Sequence, residues 1–169
     1  MKQISFLIIS VLLMLSCNGI KNNPDPEQIK EPMIGANRKM VSKESADIEA
    51  YIRTRQLEMQ RTGTGLRYTI LRDGTGEHPK EGNSVKVNFV VSLLDGTVCY
   101  NSSELGSEIF IVDHDHVESG LHEGIKLMKK GGKAKFILPS HLAHGLLGDR
   151  AKIPPMAAVV YDLELLEIN

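Results

Sequence analysis

The sequence predicts an α+β domain: a curved antiparallel sheet of about five strands over one short helix, with a separate helix in front of it. Two patterns predict this. After residue 65, apolar residues alternate with a period of two in several runs, and only Ser119–Lys130 breaks that rhythm with a helical one. The third observation is length: 169 residues suffice for one domain with a real core and not for two large ones.

Ser42 or Ser45 opens a helix over 45–61, in which Ile48, Tyr51 and Ile52 stand at i, i+3 and i+4 among charged residues. So short a stripe leans either on the main domain or on a second copy. Thr62-Gly63-Thr64-Gly65 stops the helix; with no Lys-Ser/Thr after them, these glycines are punctuation and not a phosphate cradle. Leu66, Tyr68 and Ile70 alternate, and Asp73-Gly74-Thr75-Gly76 turns the chain. Val85, Val87, Phe89, Val91 and Leu93 then mark a long half-buried strand, and Asp95-Gly96 is a hairpin signal before a strand at Thr97–Tyr100. A further strand fits Glu108–Val112. In the helix at 119–130, Leu121, Ile125 and Met128 share a face, and Gly131-Gly132 end it after Lys129-Lys130. Ala134, Phe136 and Leu138 form the next strand, and Val159, Tyr161, Leu163 and Leu165 lie on one face of the last, at 157–168.

Composition narrows the function. Lysine plus arginine total 20 against 21 acidic residues, a net charge of −1, which lacks the basic bias of a nucleic-acid binder. Aromatics make up 5% with no tryptophan, so stacking platforms for bases are also excluded. Two cysteines supply neither a disulfide scaffold nor a four-thiolate zinc site. His114, His116, His122, His141 and His144 have no spacing that forces convergence, so they are read as polar loop residues. No metal and no cofactor is expected. Cys99 reads as a small buried hydrophobe.

The first 41 residues read as an address and a tether. Lys2 precedes an apolar run, Ile4–Leu15, too short to span a bilayer and suited to a signal peptide over 1–16. Met14-Leu15-Ser16-Cys17 resembles a bacterial lipobox. That resemblance implies acylation of Cys17 and anchorage to a lipid membrane, with Asn18 pointing to the outer membrane and the domain facing the periplasm. Residues 17–41 carry three prolines, scattered charges and no apolar period, so they are expected to form a flexible tether. The helix is then assigned to 42–63 and the main domain to 64–169.

Within that domain five stretches carry a resemblance: Leu93–Thr97 (LLDGT), Glu123–Lys129 (EGIKLMK), Pro139–Gly145 (PSHLAHG), Ile153-Pro154-Pro155, and Val160–Leu166 (VYDLELL). Their order and spacing resemble an FKBP-type peptidyl-prolyl isomerase from about Gly65 to Asn169. The lipobox and the leading helix are similar to a lipoprotein subgroup of that family associated with gliding motility. The resemblance implies an FKBP-like fold, no cofactor, and proline-containing segments of unfolded or exported proteins as partners; oligomeric state stays open.

It also implies an apolar trough between sheet and helix. Phe89 stands where the family has a tyrosine, and Tyr100-Asn101 take the place of a Phe-Asp pair. Val117 matches, and Glu118 replaces an apolar residue whose backbone N–H meets a substrate carbonyl. Leu121 replaces the floor tryptophan, and Tyr161 stands where phenylalanine is usual. His144 replaces a tyrosine that donates to the rotating carbonyl, a role a neutral imidazole can fill. Ile153 completes the lining, with Asp149 and Lys152 in the loop before it. Catalytic roles thus fall to His144, Asn101 and Glu118, and substrate binding to Phe89, Tyr100, Val117, Leu121, Ile153 and Tyr161. With so many departures, two functions stay in view: a peptidyl-prolyl cis-trans isomerase, and a non-catalytic chaperone or peptide-binding module with a degenerate pocket.

Overall fold

The computed structural model describes residues 26–169, so the signal-peptide and Cys17 expectations lie outside the described residues. The chain forms two compact units, Met1–Arg38 and Lys39–Asn169. In the first, the described residues belong to the opening turns of α1, Pro26–Thr54, and Lys30–Arg38 are exposed.

This corrects the expected tether over 26–41. Pro26 sits in the first turn, where its missing N–H costs nothing, and Glu27, Gln28, Lys30, Glu31, Ala36 and Lys39 are good helix formers. The packed turns around Ile48 supply the nucleus, and extending a helix from a formed nucleus needs no new burial. Propagation therefore carries helix through Pro32 despite the hydrogen bond that proline removes.

The other end of α1 is also corrected, from 61 to Thr54. Gln56 adopts φ 53°, Gln56 N–H donates to Arg53 O, and Leu57 N–H donates to Ile52 O, which together make a Schellman motif. Ile52 and Leu57 pack on the same cluster and close the motif. Lacking the usual glycine, this stop left no mark in the sequence. Gln60–Arg61 become β1, and the Thr62–Gly65 glycine segment is the turn of a hairpin, with Gly65 N–H donating to Thr62 O.

The later strands are β2 (Arg67–Arg72), β3 (Ser84–Leu93), β4 (Val98–Asn101), β5 (Glu108–Ile111), β6 (Lys133–Leu138) and β7 (Val159–Ile168). The short helices are α2 (Ser102–Leu105) and α3 (Ser119–Ile125). Among the described residues seven antiparallel strands form the sheet, where about five were expected, in the order β1-β2-β6-β7-β3-β4, with β5 also paired to β3. Helix α3 ends at Ile125; two tighter turns, Leu127 N–H to Gly124 O and Met128 N–H to Ile125 O, carry the chain on. Met128 is still buried, so the helical face read from the sequence survives the change of geometry.

Strands β6 and β7 bury both faces. Ala134, Phe136, Leu138, Val159, Tyr161, Leu163 and Leu165 enter the inner core with Leu121 and Ile125 of α3. Ile137, Ala158 and Val160 face the other way, onto Ile48 and Tyr51 of α1. The double burial is confined to Phe136–Leu138 and Val159–Tyr161; beside it Lys133, Lys135, Asp162 and Glu164 keep the alternation of a half-covered sheet.

That outer face carries an ionic clamp. Arg67, only 3% exposed, donates to Glu49 Oε1 at 2.9 and 3.2 Å, to Ser45 Oγ at 3.2 Å, and to Gly65 O. Glu44 Oε1 accepts from Ser140 N–H at 2.7 Å. The helix thus rests on its own domain, by a few apolar residues and a set of directed polar contacts.

Candidate functional site

The expected lining gathers in and around the inner core. Leu121, Ile153 and Tyr161 are buried in the inner cluster, and Phe89, Tyr100 and Val117 pack half-buried against it. Each comes from a different element or loop: Phe89 from β3, Tyr100 from β4, Val117 from the loop before α3, Leu121 from α3, Ile153 from the loop before β7, and Tyr161 from β7. These six side chains thus belong to, or pack against, one apolar cluster.

Glu118 is the N-cap position of α3, with extended φ −60° and ψ 138° and no side-chain capping bond. Its carbonyl accepts from Leu121 and His122, and its own N–H donates to no group among the described residues. Its carboxylate reaches side chains of β7 and of a facing loop. Oε1 accepts from the Tyr161 hydroxyl at 2.8 Å and lies 2.8 Å from His144 Nε2. Burial, with the Glu118 carboxylate beside it, raises the Tyr161 phenol well above its ordinary pKa, so it stays a donor.

His144 sits in the loop after a 3₁₀ turn, Ser140–Leu142, which is braced by Gly145 N–H to Ser140 O and Met156 N–H to Gly145 O. The loop returns through a tight crossing: Gly148 has φ 64°, and a Cβ there would meet Ile153 O at 2.2 Å. Asp149 organises the return stretch from Arg150 to Ile153. Its Oδ1 accepts from Ala151 and Ile153 N–H at 2.8 Å each, and its Oδ2 accepts from the Tyr100 hydroxyl. Burial pushes this carboxyl upward, but those three hydrogen bonds and the nearby His144 outweigh it and hold the pKa at about 2. Lys152 lies 5.1 Å over the Tyr100 ring.

Asn101 is drawn into local structure: its Oδ1 accepts from Ser103 N–H and caps α2. Asp149 is the residue whose importance sequence reading missed. The signal available was its spacing, an Asp two and four residues before N–H groups that need an acceptor. The remaining histidines are spent separately: His122 accepts from Asp113 N–H and bonds Asp115 O, and His141 bonds Thr64 O. Among the described residues no three metal-ligating side chains converge.

Apolar side chains from six elements and loops gathered on one cluster beside a helix N-terminus, within an antiparallel sheet, define an α+β fold class. Comparison with known proteins gives the class its family. Residues 75–166 match the family of FKBP-type peptidyl-prolyl cis-trans isomerases, and the chain belongs to that family. It is 40% identical over 108 residues to the FKBP-type isomerase FkpA of Escherichia coli K12, covering 64% of this chain and 39% of that protein. Identity to the 22 kDa FKBP-type isomerase of the same bacterium is 36% over 107 residues, 63% of this chain and 52% of that one. The crystal structure of Escherichia coli FkpA superposes with a TM-score of 0.65 at 31% identity, covering 98% of this chain and 81% of that chain. AtFKBP13 does so with a TM-score of 0.62 at 26% identity, covering 66% and 99%. The chain thus spans about two-fifths of the FkpA sequence it matches.

Proposed function

We propose that this chain catalyses peptidyl-prolyl cis-trans isomerisation on unfolded or exported proteins, held by an acylated Cys17 at a bacterial outer membrane and facing the periplasm. The observation that supports it best is the gathering of six apolar residues on one cluster beside the unengaged Glu118 N–H, with His144 Nε2 held nearby on the Glu118 carboxylate.

The chemistry asks for little more. Rotation about an X–Pro amide meets a barrier of ~18–20 kcal/mol because resonance is lost at the twisted geometry. Phe89, Val117, Leu121 and Tyr161 strip water from the amide, which favours the less polar twisted state. The Glu118 N–H orients one carbonyl, and His144 donates to the carbonyl that rotates. Stabilising the twisted form more than either planar form lowers the barrier without a covalent step.

A second reading, a binding module without catalysis, has its own support. Leu121 offers less floor than an indole ring, and the Glu118 carboxylate lies inside the trough. A protease-free assay of a prolyl test peptide, run beside an aggregation-suppression assay, separates the two. Isomerisation above background supports the first; suppression with no rate supports the second. His144→Phe is expected to lower turnover about tenfold, ~1.4 kcal/mol in barrier, with a smaller loss in peptide binding. Equal losses in both would remove His144 from the donor role. The anchor is tested by palmitate labelling, expected in the natural chain and lost in Cys17→Ala.

A further inference from the structure

The Glu118 carboxylate stands in a position where the family resemblance implies an apolar side chain. It is 14% exposed and bridges Tyr161 of β7 and His144 of the loop after the 3₁₀ turn. Both partners meet the same oxygen, Oε1, at 2.8 Å. A prolyl ring entering between Tyr161, Val117 and Leu121 competes for the space this bridge occupies. The carboxylate must then swing toward the mouth and lose two donors. An ionised carboxylate in a poorly hydrated cleft is costly unless it is paired again.

Asp149 remains ionised down to a pH of about 2, and Lys152 lies over the Tyr100 ring, whose hydroxyl is bonded to Asp149. Glu108 is held above its ordinary pKa by burial and by the Glu118 charge, which puts a third carboxyl within electrostatic reach. A basic residue on the incoming peptide supplies a positive charge directly beside the displaced carboxylate. An apolar residue beside the proline leaves the displaced carboxylate unpaired, and an acidic one repels it.

We propose that Glu118 is a specificity-determining residue of the trough, selecting prolyl segments that carry lysine or arginine immediately before the proline. The proposal rests on the isomerase reading for the location of the bound proline. Its test uses the full chain and three tetrapeptides, identical except for lysine, leucine or glutamate before the proline, with exchange followed by NMR. The expected order of kcat/KM is lysine, leucine, glutamate, with about a tenfold span that shrinks to about twofold in 1 M salt. In Glu118→Gln the span is expected to fall to near one, while Glu118→Asp keeps the preference. A flat order in the natural chain, or the same order in Glu118→Gln, overturns the proposal and leaves isomerase activity standing. If no peptide is turned over, the isomerase reading fails by itself; calorimetric titration of the same peptides then decides the preference. Equal affinities, or no binding, overturn it there, and a lysine preference that salt weakens sustains it even where Glu118→Gln does not fold.

Discussion

The two faces of the β6–β7 sheet are both buried, yet they are held by different means. On the inner face the helix α3 is covered by a large cluster in which Phe136, Leu138, Val159 and Leu165 have no exposure at all. On the outer face α1 contributes Ile48, Tyr51 and little else that is apolar, and buried Arg67 with Glu44, Ser45 and Glu49 completes the contact. Fully burying a large apolar side chain contributes roughly 1.5–3 kcal/mol, so the inner face is secured many times over and the outer face only a few times. Non-directional burial tolerates small shifts, whereas the outer contacts fix the orientation of α1.

The largest effect is expected where the inner face is strongest. Phe136→Ala removes a ring packed against Gly124 of α3, whose Cβ position lies only 3.0 Å from it. A loss of about 3–5 kcal/mol is expected, read as a shifted urea midpoint for the whole domain. Arg67→Ala is expected to cost less, about 2 kcal/mol, because Glu49 is half exposed and water replaces its partner. Its signature is local: amide exchange in residues 44–54 should quicken while β6 and β7 stay protected. If both regions lose protection together, the two faces are one cooperative unit and do not differ in the way they are held.

The smallest expected effect lies at the rim of the inner face. The Asp149 carboxyl, at about 2 in the folded chain, lies below its ordinary 3.8. Its stabilising contribution is therefore fully present above pH ~4 and lost as the pH falls toward 2. Asp149→Asn should cost about 1 kcal/mol at neutral pH, with the gap to the natural chain closing across that acid window. A gap that stays constant with pH would assign the loss to packing instead of charge.

How far the sequence reveals each face depends on the same contrast. Period-two burial made the inner face legible: Val85, Val87 and Val91 are buried as their alternation requires, and Gly96 takes the positive φ of the hairpin signal. The same rule misleads on β2. Ile70 is exposed while Arg67, one step off the apolar register, is buried, because its partners lie far away on α1 and leave no local pattern. The site divides likewise. Its apolar members, from Phe89 to Tyr161, are named by the family resemblance, and the fold gathers them in or against one cluster. The reach of Glu118 to Tyr161 and the grip of Asp149 on Tyr100 depend on side-chain direction after folding, which spacing does not encode. The first half of α1 escaped for another reason: propagation from a packed segment needs no hydrophobic stripe of its own.

The strand order has a consequence in time. β7, last of the seven along the chain, lies at the centre of the sheet and pairs with both β6 and β3. During synthesis the earlier strands emerge without the one that joins them, and the half bearing β3 cannot latch onto the half bearing β2 and β6. Assembly waits until residues 159–168 are available, so the sheet stays in two unjoined parts until its central strand arrives.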